Sequence, residues 1–259
     1  MPVLPQQPRN LTEILSASFR LYAASFTKLI GYSLIVFALN RILTGFVTDT
    51  MPAVDTTLNP EQQTAAMMQV LPSMLGIMFI VTSFYFVFYS AMIYRIDNVV
   101  NQREDNFVNV LLLAVKKFPT IIVASILYSI AIMIGSFLLV IPAIILIISL
   151  SFFWYFILLE DKGSYESLMA SHRLVWGDWW RTNIVFFIPS LILVIALFIV
   201  AFFNGLFDPT PEPSNTLDIG TDLLIAIIMP YFYVVGYLQY HDLKLRRNNV
   251  STVTLTKRM

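Results

Sequence analysis

The chain has 259 residues, with 16 Lys and Arg against 16 Asp and Glu, no Cys, and 58% apolar residues. Charged residues make up 12%, roughly half the share of an ordinary soluble domain, and the mean hydropathy is +0.75. A soluble fold of this size cannot hide that much apolar surface, so soluble enzymes, nucleic-acid binders and disordered chains are excluded and a multi-pass membrane protein is left.

The first ten residues carry Pro2, Pro5 and Pro8 and no apolar run, so no cleavable signal is expected. Residues 11–26 then read as an amphipathic helix lying on the membrane, opened by Asn10 or Thr12. The first two spans are expected at 29–47 and 70–94. A second interfacial segment, 106–118, leads into spans at 119–139 and 141–159, which form one apolar stretch too long for a single crossing. Gly135 and Pro142 mark its turn, and Pro142 suits the first turn of the fourth helix, where its missing N–H costs nothing. A third interfacial segment, 164–176, precedes spans at 183–203 and 220–240, in which Pro189 and Pro230 predict kinks. A tail, 241–259, follows.

Each span supplies about the 20 residues that ~30 Å of hydrocarbon requires. The fold class is all-α: a single polytopic membrane domain of six transmembrane helices in three hairpins, with cytoplasmic interfacial amphipathic helices. A barrel is set aside, because residues 143–150 show no polar–apolar alternation. Residues 13–20 align loosely with 166–173, which suggests three units of interfacial helix plus hairpin.

Fifteen of the 16 basic residues fall before span one, between spans two and three, between four and five, or after six. The remaining segments carry none and hold Asp49, Asp55, Glu61, Asp208, Glu212 and Asp218, with Pro209, Pro211 and Pro213 keeping the last of them irregular. By the positive-inside rule both termini are cytoplasmic.

The sixteenth cation, Arg41, lies inside span one beside Asn40. A charge there must pair, snorkel or hold an anion. Asp222 and Asp49 are its nearest carboxylates by topology, and a lipid phosphate is the other candidate. Aromatic residues gather toward the cytoplasmic ends of the spans: Tyr85 and Tyr89, Trp154, Trp176, Trp179 and Trp180, Tyr233 and Tyr237. They fit a headgroup-level belt, or a lipid-binding groove open to the cytoplasmic leaflet, since the cluster around Tyr85 lies about 15 Å inward. Ser149 and Ser151 are expected to bond their own helix backbone.

Little points to chemistry. His172 and His241 both read as parts of solvated polar faces, and no H-E-x-x-H, G-x-S-x-G or G-x-x-x-x-G-K run is present. No carboxylate lies at a span centre, where ion-coupled transporters carry theirs. No catalytic residue, cofactor or metal is expected.

The fourth span opens with Leu139-Val140-Ile141-Pro142-Ala143 and exits through Leu159-Glu160-Asp161-Lys162-Gly163, ahead of a helix with Ser171, Arg173, Leu174 and Trp176. Over about 40 residues this resembles the YciC-like family of bacterial multi-pass inner-membrane proteins. It is also similar to the membrane domain of some glycerophosphoryl diester phosphodiesterases. Where that family usually has Gly after the proline, Ala143 stands here. The resemblance implies a bacterial cytoplasmic-membrane protein without catalytic residues of its own. The expected function is a non-enzymatic role in envelope or lipid homeostasis, or, alternatively, transport or lipid handling through the aromatic groove. The expected partners are membrane lipids and other inner-membrane proteins, not nucleic acid.

Overall fold

A computed structural model describes residues 4–50, 59–104, 106–138, 140–207 and 215–256. Every regular element among them is a helix: α1 (Leu11–Thr50), α2 (Pro60–Val100), α3 (Phe107–Leu138), α4 (Val140–Leu150), α5 (Phe153–Glu160), α6 (Ser164–Val175), α7 (Trp179–Phe207) and α8 (Asn215–Thr256). Six apolar segments are long enough to cross a membrane, α4 and α5 forming one of them together. Asp55, Asp208, Glu212, the prolines at 209, 211 and 213, and the last three residues of the tail lie outside the described residues.

Two of the three interfacial segments are not separate helices. The 40 residues of α1 run about 60 Å without a break, twice the hydrocarbon thickness, so 11–26 and the span at 29–47 are one rod. Only Thr27 and Lys28 stand between them, and neither interrupts a helix. Likewise 106–118 forms the opening turns of α3, which continues through Pro119. The start of α1 matches expectation: Asn10 Oδ1 accepts from the Glu13 N–H at 2.9 Å, while Glu13 Oε2 accepts from the Asn10 N–H at 3.1 Å, a reciprocal cap. Only the third segment is a helix of its own, α6, bracketed by Gly163 and by Gly177, whose φ of 100° suits glycine. The three segments thus differ: two run straight into their spans and one stands as a separate helix.

The packed core sits at one end of the bundle. It gathers Leu21, Leu29 and Tyr32 of α1, Met92 and Ile96 of α2, Ala114 and Ile121 of α3, Phe152 before α5, Ile157 within it, and Val234, Tyr237 and Tyr240 of α8. Small buried residues, Ser25, Ser33, Ser90, Ala91 and Ala124, let the rods approach closely. Lys117 of α3 pairs with Asp161, Lys244 of α8 with Glu160, and the Arg9 backbone with Asp242, so the basic segments assigned to one side do meet at one end. The opposite halves expose Phe46, Met78, Phe137, Val140, Phe198 and Phe202, an apolar surface suited to lipid.

Two glycines mark close approaches. Gly135 lies where a Cβ would come within 3.2 Å of the Ala143 backbone, so the α3–α4 hairpin closes tightly at the turn predicted from Gly135 and Pro142. At Gly236 the Tyr155 hydroxyl fills the space a Cβ would take, which fixes α5 against α8.

Candidate functional site

The fourth crossing is broken. Between α4 and α5, Ser151 and Phe152 form a turn, and the backbone there loses helical partners inside the protein. Ser171 of α6 restores them: its hydroxyl donates to the Ser149 carbonyl at 2.8 Å and accepts the Phe152 N–H at 3.0 Å, all three residues being buried. Ser151 bonds its own helix, to the Ile148 carbonyl at 2.9 Å, as expected. Ser149 differs, because α6 presses on it and brings His172 Nδ1 to 3.2 Å from its hydroxyl. His172 is thus half-buried rather than a member of a solvated face. His241 packs between Tyr237 and Tyr240, at 4.6 and 5.4 Å between ring centres, and is likewise half-buried rather than part of a solvated face.

Beside the break lies a cavity of about 600 Å³. α2 contributes Phe86 and Tyr89, the α4–α5 junction Phe152, Trp154 and Tyr155, α7 Phe186 and Ser190, and α8 Phe232 and Tyr233. Phe86 meets Trp154 edge-on at 5.1 Å, and Tyr89 meets Tyr233 at 5.0 Å. Three hydroxyls on its wall are turned to backbone: Ser151 to the Ile148 carbonyl at 2.9 Å, Ser190 to the Phe186 carbonyl at 2.8 Å, and Tyr155 to the Tyr233 carbonyl at 3.1 Å. What remains is an aromatic, largely apolar chamber, sized within the ~300–1,000 Å³ of ligand sites and suited to hydrocarbon.

Of the residues singled out from sequence, Tyr89, Trp154 and Tyr233 line this chamber. Tyr85 stacks on Tyr89 at 5.6 Å and donates to Asn40 Oδ1 at 3.1 Å. Next to Asn40, Arg41 Nη1 lies 3.3 Å from Asp222 Oδ2, each side chain a quarter exposed. The intramembrane cation is therefore ion-paired across α1 and α8. Tyr237 is buried and donates to Asp97 Oδ1 at 2.8 Å, a structural contact between α8 and α2. Trp179 donates to the Ile145 carbonyl at 3.3 Å, while Trp176 and Trp180 are exposed away from the chamber. Phe86, Phe152, Tyr155 and Phe186 were not singled out, although the first three stand in the aromatic runs.

The Arg41–Asp222 pair carries a direct expectation. Lysine cannot reproduce the guanidinium geometry, so Arg41→Lys and Asp222→Asn should each lose about 1 kcal/mol in detergent. The double variant should lose no more than the worse single one. Unchanged melting temperatures for both singles would show the pair to be energetically idle.

A helical bundle with six membrane-length apolar segments and an aromatic chamber at its packed end defines a polytopic all-α membrane protein. The chain belongs to the family described as Domain of unknown function (DUF7847), whose model matches residues 4–239. No curated protein and no solved structure matches it.

Proposed function

We propose that this is a non-enzymatic integral protein of the bacterial cytoplasmic membrane, with both termini in the cytoplasm, that handles lipid through the aromatic chamber and serves envelope or lipid homeostasis. One observation carries the reading: a chamber of about 600 Å³ with aromatic walls, three of its wall hydroxyls turned to backbone, bounded by four elements at the basic end of the bundle. Such a wall offers dispersion and little hydrogen bonding, which suits an acyl chain. The basic asymmetry supports the cytoplasmic placement of that end. The resemblance of residues 139–176 to YciC-like proteins supports the bacterial membrane. Transport across the bilayer is the second reading, and the broken fourth crossing beside the chamber favours it.

Lipid bound after mild detergent extraction, weighed by native mass spectrometry, tests this. The wild-type protein should retain lipid in stoichiometric amount. Leu193→Trp, which places a bulky ring in the chamber wall, should release it while leaving the melting temperature near wild type. Equal lipid retention by the two proteins, or none by the wild type, would remove the chamber as a lipid site.

A further inference from the structure

A second concavity, about 330 Å³, opens at the basic end between α5, α6 and α8. Lys162 from the α5–α6 link, Arg173 of α6, and Lys244 and Arg247 of α8 line it, with Glu160 as the one carboxylate on its wall. Residues up to 87 positions apart in sequence are thus brought to one cleft. Glu160 accepts from Lys244 at 2.6 Å and lies 3.3 Å from Lys162, so it spaces two cations and neutralises the charge of one. Arg247 Nε donates to the Leu174 carbonyl at 3.2 Å, which holds its guanidinium in place. Lys162 Nζ stands 4.6 Å over the Phe156 ring, so the cleft has an apolar side as well. Four cations facing one carboxylate leave an excess of three positive charges on the wall of one open cleft.

Depth identifies the occupant. The fourth crossing, Val140–Glu160, has 21 residues in two helical pieces, about the number that the hydrocarbon thickness requires. Glu160 therefore ends the crossing at headgroup level, and the cleft faces the phosphate layer of the adjoining leaflet. Tyr240, buried, stacked on Tyr155 at 5.4 Å and edge-on to Phe156 at 5.2 Å, separates the cleft from the aromatic chamber, so the two sites stand independently. We propose that this cleft binds the phosphate-bearing headgroup of an anionic phospholipid from the leaflet at the basic end.

The test is titration of the detergent-solubilised protein with phosphatidylglycerol and with phosphatidylcholine, read by native mass spectrometry. Phosphatidylglycerol should bind at least tenfold more tightly. Lys162→Gln with Arg173→Gln should weaken it about tenfold, whereas Lys116→Gln, an exposed cation on α3 away from the cleft, should leave it unchanged. If the double variant melts below the wild type, each single variant carries the test with about a threefold loss. Equal effects from the cleft variants and Lys116→Gln would show unspecific attraction and overturn the proposal. So would displacement of the lipid by equimolar inorganic phosphate, which would make the ligand a soluble anion.

Discussion

Asp242→Ala is expected to cost about 3 kcal/mol and to free the segment before α1, because it leaves two partly buried guanidinium groups without their anion. The Asp242 carboxylate is 1% exposed and accepts from Arg246 Nε at 2.8 Å, Arg181 Nη2 at 3.2 Å and the Arg9 N–H at 2.6 Å. The Arg9 carbonyl in turn accepts from Arg246 Nη2 at 2.7 Å and from Arg181. One backbone carbonyl and one carboxylate therefore share two guanidinium groups, and the segment before α1 is tied to α7 and α8. Thermal unfolding in detergent should show the loss, and limited proteolysis should cut ahead of Leu11 in the variant. A loss under about 1 kcal/mol would mean that water replaces the carboxylate and that the cluster is a solvated one.

Ser171→Ala should destabilise by about 2–4 kcal/mol although it removes a single atom, because the cost is polar rather than steric. It orphans a carbonyl at Ser149 and an N–H at Phe152, both buried at the break in the fourth crossing. Each buried group left without a partner costs about 1–3 kcal/mol. Hydrogen exchange at the Phe152 amide should rise alongside the fall in melting temperature. An unchanged melting temperature with unchanged exchange would mean that the turn satisfies itself and that α6 is not its support.

Elements whose boundaries are written in local chemistry could be read from the chain alone. The α3–α4 turn is one, because glycine and proline leave a signature at Gly135 and Pro142. The Arg41–Asp222 pair is another: a lone cation in hydrocarbon has few carboxylates within reach, and topology narrowed them to two. α1 was divided in sequence because its face changes from amphipathic to apolar near Lys28, yet a change of face is not a break. Thr27 and Lys28 do not interrupt a helix, which runs on through Gly31, and Leu21 and Leu29 are buried along the one rod. Asp242 was invisible for a different reason. A carboxylate in a basic tail reads as solvated, and its burial depends on a contact with Arg9, 233 residues earlier. The chamber was half legible. Aromatic runs pointed to Tyr89, Trp154 and Tyr233, but selecting the inward-facing members needs the broken helix, which no residue near Ser151 announces.

The chamber, the basic cleft and the Asp242 cluster all lie toward one end of the bundle, and the proposed placement of the two sites has that end facing the cytoplasm. A reporter active only in the cytoplasm, fused after Met259, and the same reporter inserted within residues 56–61 measure this directly. Activity from the C-terminal fusion and silence from the insertion are the expected pair of results. The reverse pair would invert the orientation and contradict the cytoplasmic assignment of both sites.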